Sequence, residues 1–332
     1  MSISVGTFNM LDPQFALNHN QKEGLTKTGQ SNWPTRKQGI VKLLNESKLD
    51  VICLQEISPK SLNDIKTDLN GQYVIKYIKH AERSDGVAIL YKKTFKEVNS
   101  QTLSLHGLNS GYVDLKDQLS GRVIRVANCH LLGGNKQNQG KEQIEKLLER
   151  VDTDPSKEGA IAARIITGDF NADEKQLNNP NSKFDALKKA SYQFDGDLSA
   201  TEIANNRHID WIWIRGDSRL SHLDVPQPQL VSDHALLATK ITFKASAMTD
   251  HVPSKVKAKP TLFQNVGRQD KATSPKTVSH AKPLQFQKPS QAKKALRPKP
   301  NRGNKAVSFG DRIKAFFGGI INFFAKLFRL RS

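Results

Sequence analysis

The sequence predicts an α/β domain built on two sheets, followed by a basic extension with no core of its own. Three observations carry that prediction. Short apolar, β-branched runs alternate with amphipathic helical stretches over residues 1–244. One run, Val51-Ile52-Cys53-Leu54, is apolar at every position, as in a strand covered on both faces. Over residues 245–308 the chain turns to Lys, Pro, Ser, Gln and Ala, and large apolar residues become sparse.

The elements follow in order. Residues 3–9 read as a strand ending at Asn9, and residues 11–32 as a polar, turn-rich loop. Trp33-Pro34 opens a helix, proline being tolerated in a first turn. Ile40, Val41, Leu43 and Leu44 form its apolar face; Arg36, Lys37, Lys42 and Glu46 form its wet face. The strand at Val51 runs into Gln55-Glu56. A helix over residues 59–69 and a strand over 73–75 follow. Asp85-Gly86 makes a turn before a strand over 87–91. The strand over 123–131 carries Asn128, Cys129 and His130 at its end, and Gly133-Gly134-Asn135 makes the loop after it. Residues 141–151 are helical, with Ile144, Leu147, Leu148 and Val151 on one face. Ile165-Ile166-Thr167 then leads into Gly168-Asp169-Phe170-Asn171. Residues 208–214 form a strand containing Asp210, and residues 229–241 start with Ser232-Asp233-His234 and close as a strand near Phe243.

Charge separates the two parts. The chain of 332 residues carries a formal net charge of +19. Residues 245–332 hold 19 Lys and Arg against three acids, a net of +16, which leaves +3 on the first 244 residues. The basic character belongs to the extension, so charge alone does not make the front domain a nucleic-acid binder. Cys53 and Cys129 each lie inside an apolar run and read as buried free thiols of a reducing compartment. The first residues lack a basic n-region and an apolar h-region, and no run of about 18 uncharged apolar residues occurs. The expectation is an intracellular, cytoplasmic protein with no signal peptide or transmembrane helix, its one route to a membrane being peripheral.

Asp169 and Asn171 alternate by two, so on an extended strand both side chains point the same way. Gly168 leaves room for a close backbone or ligand. A carboxylate that takes a water proton, beside an amide that donates to an anionic oxygen, suits water attack on phosphate. Asn9, Glu56, His130, Asp210, Asp233 and His234 likewise sit where apolar runs stop, the edge where ligands collect in α/β sheets. Each has a plain structural reading: Glu56 as a helix N-terminal acid, His130 as a capped core histidine, Asp210 as a surface carboxylate. Their number favours a site. Carboxylates and amides are hard oxygen donors that suit Mg2+ or Mn2+. Histidines with no cysteine partner fit phosphate stabilisation or proton transfer better than structural zinc.

Six segments, Thr7-Phe8-Asn9, Leu54-Gln55-Glu56, Asn128-Cys129-His130-Leu131, Gly168-Asp169-Phe170-Asn171, Ile209-Asp210-Trp211-Ile212 and Ser232-Asp233-His234, together resemble the endonuclease/exonuclease/phosphatase (DNase I-like) family. The resemblance covers residues 1–244 and implies a four-layer α/β sandwich, two facing mixed β-sheets flanked by helices, with a magnesium-dependent phosphoesterase site at one edge. It implies that Glu56 is the main metal ligand with Asn9 beside it, and Asp233 a metal or outer carboxylate. It implies that Asp169 orients or deprotonates the attacking water, and that Asn171 holds a phosphate oxygen. His130 would bind the phosphate from the other side. His234, paired with Asp210, would stabilise transition-state charge or act as the base.

Trp33-Pro34-Thr35-Arg36-Lys37, Asp85-Gly86-Val87-Ala88-Ile89-Leu90-Tyr91 and Phe95-Lys96-Glu97-Val98-Asn99-Ser100 are most similar to the deadenylase and nocturnin branch. That branch implies an RNA or nucleotide substrate. Leu132-Gly133-Gly134 lacks the basic residues nocturnin places there. A phospholipid head-group hydrolase, similar to a neutral sphingomyelinase or a phosphoinositide phosphatase, is the competing enzyme class. A catalytically inactive, membrane-associated scaffold is the non-enzyme class.

Residues 245–308 read as a disordered basic linker and residues 309–332 as an amphipathic basic helix. At 100° per residue Phe316, Phe317, Ile320, Phe324, Leu327 and Phe328 fall on one half of the wheel, and Lys314, Lys326 and Arg329 on the other. An aromatic face opposite a cationic one suits an in-plane helix on an anionic membrane surface. A helix docked on protein is the alternative, and no obligate protein partner is evident.

Overall fold

A strand that is apolar at every position needs a packed layer on each of its faces, and both layers are present. The computed structural model describes residues 1–16, 33–154, 156, 159–203, 205–225 and 231–244. In it the strands are β1 (Ser2–Asn9), β2 (Val51–Ile57), β3 (Tyr73–Lys79), β4 (Gly86–Lys92), β5 (Phe95–Leu105), β6 (Leu108–Asp117), β7 (Val123–His130), β8 (Ile161–Asp169), β9 (Asp210–Gly216), β10 (Ser218–His222) and β11 (Leu237–Phe243). The helices are α1 (Trp33–Ser47), α2 (Pro59–Asp68), α3 (Gln137–Thr153) and α4 (Lys183–Lys189).

One sheet has the order β10-β11-β1-β2-β4-β3, the other β5-β6-β7-β8-β9. Between them lies a core of Ile3, Val5, Val51, Cys53 and Ile89 from the first sheet and Val113, Ile124, Val126, Ile165 and Ile212 from the second. Alternate residues of the same strands face outward. Phe8, Ile52, Leu54, Ala88 and Leu90 pack with Ile40, Leu43, Leu44 and Ile65 of α1 and α2. On the other side Ala127, Cys129, Ile166, Trp211 and Trp213 pack with Ile144, Leu147, Phe184 and Leu187 of α3 and α4. The result is the expected four-layer sandwich of two mixed sheets.

Register collects the polar strand ends at one edge. β1 runs parallel to β2, with Asn9 opposite Gln55. β7 runs parallel to β8, with His130 opposite Asp169. β9 is antiparallel to β8, with Asp169 opposite Asp210, and β11 is antiparallel to β1, with Thr7 opposite Leu237. Asp210 therefore opens its strand and His234 precedes one; their apolar runs begin there rather than stop.

The two sheets are also joined by polar atoms directly beneath that edge. Gln55 Nε2 donates to Asn128 Oδ1 at 2.8 Å and to Thr7 Oγ1 at 3.0 Å. Asn128 Nδ2 donates to the carbonyls of Leu54 and Ala88 at 3.0 and 2.9 Å. All three side chains are fully buried. Satisfied buried amides fix the relative placement of two sheets in a way that interchangeable apolar contacts do not.

Several features depart from the sequence reading. Residues 13–16 are helical rather than loop. The hairpin β5–β6 and the edge strand β10 were not anticipated, nor was α4. Arg36 is buried at 3% exposure rather than wet. The linker at 245–308 and the helix at 309–332, with Phe316, Phe317, Ile320, Phe324, Leu327 and Phe328, lie outside the described residues. Among the described residues no helix is long and apolar enough to cross a membrane.

Candidate active site

Asp169 is the hub. It ends β8, and its Oδ1 accepts the backbone N–H of Asn171 at 2.8 Å. Its Oδ2 accepts Asn9 Nδ2 at 3.1 Å. Two imidazoles flank the same oxygen: His130 Nε2 at 3.7 Å and His234 Nε2 at 3.9 Å. Four chain segments thus converge on one carboxylate that is 2% exposed.

Close backbone approach makes this possible. Gly168 has φ +141°, a conformation that favours glycine, and a Cβ there would lie 1.8 Å from the carbonyl oxygen of Cys129. Asn171 is left-handed at φ 48°, as asparagine tolerates, and its Nδ2 donates to the Leu131 carbonyl at 3.1 Å. Gly133 has no room for a Cβ, which would meet Asn171 Cβ at 2.6 Å.

Glu56 is placed by a bulge. The β2–β4 register shifts between Leu54 and Ile57, and Glu56 adopts φ 48°. Such a conformation is strained for glutamate and characteristic of functional positions. Its Oε2 is buried with no hydrogen-bond partner among the described residues. Burial pushes the Glu56 carboxyl above its ordinary value, while His130 opposes the shift and Asp233 adds to it.

His234 Nδ1 and Asp210 Oδ2 are 2.7 Å apart. Burial alone would lower the His234 pKa, but Asp210, with help from Asp169 and Asp233, holds it well above the usual value. Thr201 Oγ1 accepts the backbone N–H of Asp210 at 3.0 Å and so fixes the start of β9. Ser232 Oγ donates to the Asn9 carbonyl at 2.7 Å and contacts Asp233 Oδ1 at 3.2 Å. All eight residues expected from the sequence, Asn9, Glu56, His130, Asp169, Asn171, Asp210, Asp233 and His234, therefore stand at this edge.

Three further residues shape the site. Arg36 reaches back from α1 to donate to the carbonyls of Met10, Leu11 and Val231, tying the loops after Asn9 and before Ser232 together. Lys183 Nζ donates to the carbonyls of Leu132 and Phe170 at 2.6 Å each, clamping the loops after His130 and Asp169. His80 stands beside His130, with ring centroids 6.4 Å apart. The helical wheel places Arg36 on the wet face and the sequence marks no helix at Lys183, because the partners of both are carbonyls far away in sequence.

The donor set fits a divalent cation. Glu56 offers an unpartnered buried carboxylate oxygen, and the neighbouring donors are hard oxygens. Asp169, Asp210 and His234 each offer an atom within 4.8 Å of the others, but the short His234–Asp210 bond uses that pair on itself.

The sequence pattern of the Endonuclease/Exonuclease/phosphatase family matches residues 7–234. The chain belongs to that family. Its members with phosphatase or nuclease activity are hydrolases acting on phosphoester bonds. Protein angel of Drosophila melanogaster is 30% identical over 161 residues, 42% of this chain and 44% of that protein's length. The crystal structure of ANGEL2, a 2',3'-cyclic phosphatase, in complex with adenosine-2',3'-vanadate superposes with a TM-score of 0.62 at 17% identity, over 73% of this chain and 96% of that one. The human nocturnin catalytic domain with bound sulfate superposes with a TM-score of 0.54 at 19% identity, over 73% and 94%. At these identities the two structures establish the fold the chain shares with the family.

Proposed function

We propose that the chain is a divalent-cation-dependent phosphodiesterase that acts on RNA or another nucleotide phosphoester. The observation that supports this best is the convergence on Asp169 Oδ2 of an amide and two imidazoles, one of them backed by a carboxylate at 2.7 Å. Glu56, Asn9 and Asp233 would hold Mg2+ or Mn2+. The ion, when bound, supplies positive charge beside the phosphoryl oxygens.

The remaining chemistry belongs to side chains. Asp169, held by two N–H donors, takes a proton from the attacking water and fixes its direction. Asn171 has one amide hydrogen on the Leu131 carbonyl and turns the other to a phosphoryl oxygen. His130 donates to that group from the far side. Asp210 favours the protonated form of His234, which suits that ring to stabilise developing charge at the leaving oxygen and leaves Asp169 as the base.

Substrate class rests on the nucleotide-directed segments of the sequence and on the cyclic phosphate named for ANGEL2. In the same proposal residues 1–244 are the catalytic part, 245–308 a basic linker and 309–332 a helix that rests on anionic membrane through Phe316, Phe317, Ile320, Phe324, Leu327 and Phe328. Support for the tether is the spacing of aromatic and cationic residues. The test is a parallel assay of the full chain on poly(A), 2',3'-cyclic-phosphate-ended RNA, single-stranded DNA, sphingomyelin and phosphoinositides, with and without chelator. Cation-dependent cleavage of a nucleotide substrate is expected. Release of phosphocholine or inorganic phosphate from lipid, with no nucleotide product, reverses the substrate order.

A further inference from the structure

His80 follows β3 directly, Asp85 immediately precedes β4, and His130 ends β7 in the opposite sheet. His80 is 1% exposed. Its Nδ1 accepts the backbone N–H of Asn109 at 2.8 Å. A ring nitrogen that accepts carries no proton, so the ring is neutral and its hydrogen sits on Nε2. Burial first, then His130 and Arg83, hold the His80 pKa down to about 3, in keeping with that geometry. Nε2–H is thus a buried donor, and no group among the described residues takes it. Asp85 Oδ2 lies 4.0 Å away, too far for a direct bond, and Arg83 already grips that carboxylate at 2.7 and 2.9 Å. His130 Nδ1 is also buried without a partner among the described residues.

One atom from each of His80, Asp85 and His130 lies within 4.8 Å of the other two. Three groups that each hydrogen-bond a common tetrahedral oxygen stand about 4.6 Å apart. We propose that this niche takes a single hydroxyl oxygen, from water or from a substrate sugar, through which His80 fixes the ring of His130. The oxygen accepts from His80 Nε2–H and donates to His130 Nδ1, a water giving its second hydrogen to Asp85. His130 then carries its proton on Nε2, the nitrogen 3.7 Å from Asp169 Oδ2. A cation does not fit the same niche. It needs the lone pair of His80 Nε2, which puts the ring proton on Nδ1 against the N–H of Asn109. His80 is a positioning residue, and its effect on turnover rests on the role proposed for His130.

The experiment is long-range 1H–15N NMR on the full chain labelled with 15N-histidine, together with kinetics. Wild type shows His80 as the Nε2–H tautomer and His130 as a single neutral Nε2–H tautomer; if His130 orders only after a nucleotide is added, the hydroxyl is the substrate's. In His80→Phe the His130 signals divide between tautomers, and kcat falls about tenfold with KM within about twofold. His80→Gln, which restores an N–H donor, recovers one tautomer and most of kcat. A proton on His80 Nδ1, a Zn2+-induced shift of the His80 nitrogens, or an unchanged His130 tautomer in His80→Phe overturns the proposal. If His80→Phe does not fold, the wild-type tautomers decide. Tautomers need no turnover, so a chain inert on every phosphoester but with His80-dependent His130 signals refutes the hydrolase reading and leaves the niche standing.

Discussion

Gln55 of β2 donates to Asn128 of β7 across the gap between the two sheets, at 2.8 Å. Gln55 lies one residue before Glu56 and Asn128 two residues before His130, so the link sets the site's width as well as the core's. Gln55→Leu and Asn128→Leu should each cost about 1–3 kcal/mol in urea unfolding, because each strands a buried amide. The double variant should cost less than the sum by about 0.5 kcal/mol or more. Strictly additive costs mean that the two residues are not coupled.

Glu56→Gln should abolish cation-stimulated turnover, by about a hundredfold or more, without loss of fold. The carboxyl is pushed up by burial, so its charge costs stability in the absence of a cation. The variant should therefore melt at the same temperature as wild type or higher in chelator. Added Mg2+ should raise the melting temperature of wild type only. An equal rise in both removes Glu56 from the cation site.

The His234 pKa is raised by Asp210, so folding takes up a proton at this ring. That stabilisation is complete below the ordinary histidine value of about 6.5 and is lost as pH climbs through the raised folded value. Asp210→Asn should flatten this alkaline loss and slow turnover by about a hundredfold or more. Unfolding midpoints measured from neutral pH upward check it; parallel curves for the two proteins contradict it.

Lys183 shows the opposite sign. Burial holds its pKa down to about 8 from 10.5, so the charged form is disfavoured in the fold. Its stabilising share is whole above about 10.5 and declines as pH falls through about 8. The stability difference between wild type and Lys183→Met should therefore widen between those two pH values. A difference independent of pH disproves it.

Gly168→Ala places a Cβ 1.8 Å from the Cys129 carbonyl at φ +141°. β7 and β8 cannot both keep their register around that atom. The variant should be insoluble or destabilised by more than about 4 kcal/mol, as far-UV circular dichroism and denaturant titration will show. A native-like melt excludes strain as the reason for glycine here.

How much of this was legible in the sequence depended on where the partners lie. Val51 to Leu54 and Ile165 to Thr167 announced buried strands because their burial repeats along the chain itself. Asn9, Glu56 and Asp169 announced a site because each stands where an apolar run stops. β5 was not legible: it is an edge strand with Lys96, Gln101 and Thr102 exposed, and among the described strands it pairs only with β6, so its pattern carries little core signal. Arg36 read as a solvated cation because a wheel shows which way a side chain leaves a helix, not that carbonyls from residues 10, 11 and 231 will meet it. His80 carried no signal in the sequence for the same reason; its tautomer is set by the backbone of Asn109 in the other sheet.

β1 is hydrogen-bonded on one side to β2 and on the other to β11, and Ser232 grips Asn9 from beyond. A ribosome delivers Asn9 more than two hundred residues before His234. Until Leu237 to Phe243 has emerged, β1 presents a bare ladder of amides and carbonyls, and His234 has no paired strand to hold it beside Asp169. A translation product stopped short of that segment is thus catalytically silent and, through the open edge, prone to pair with its neighbours on the same message.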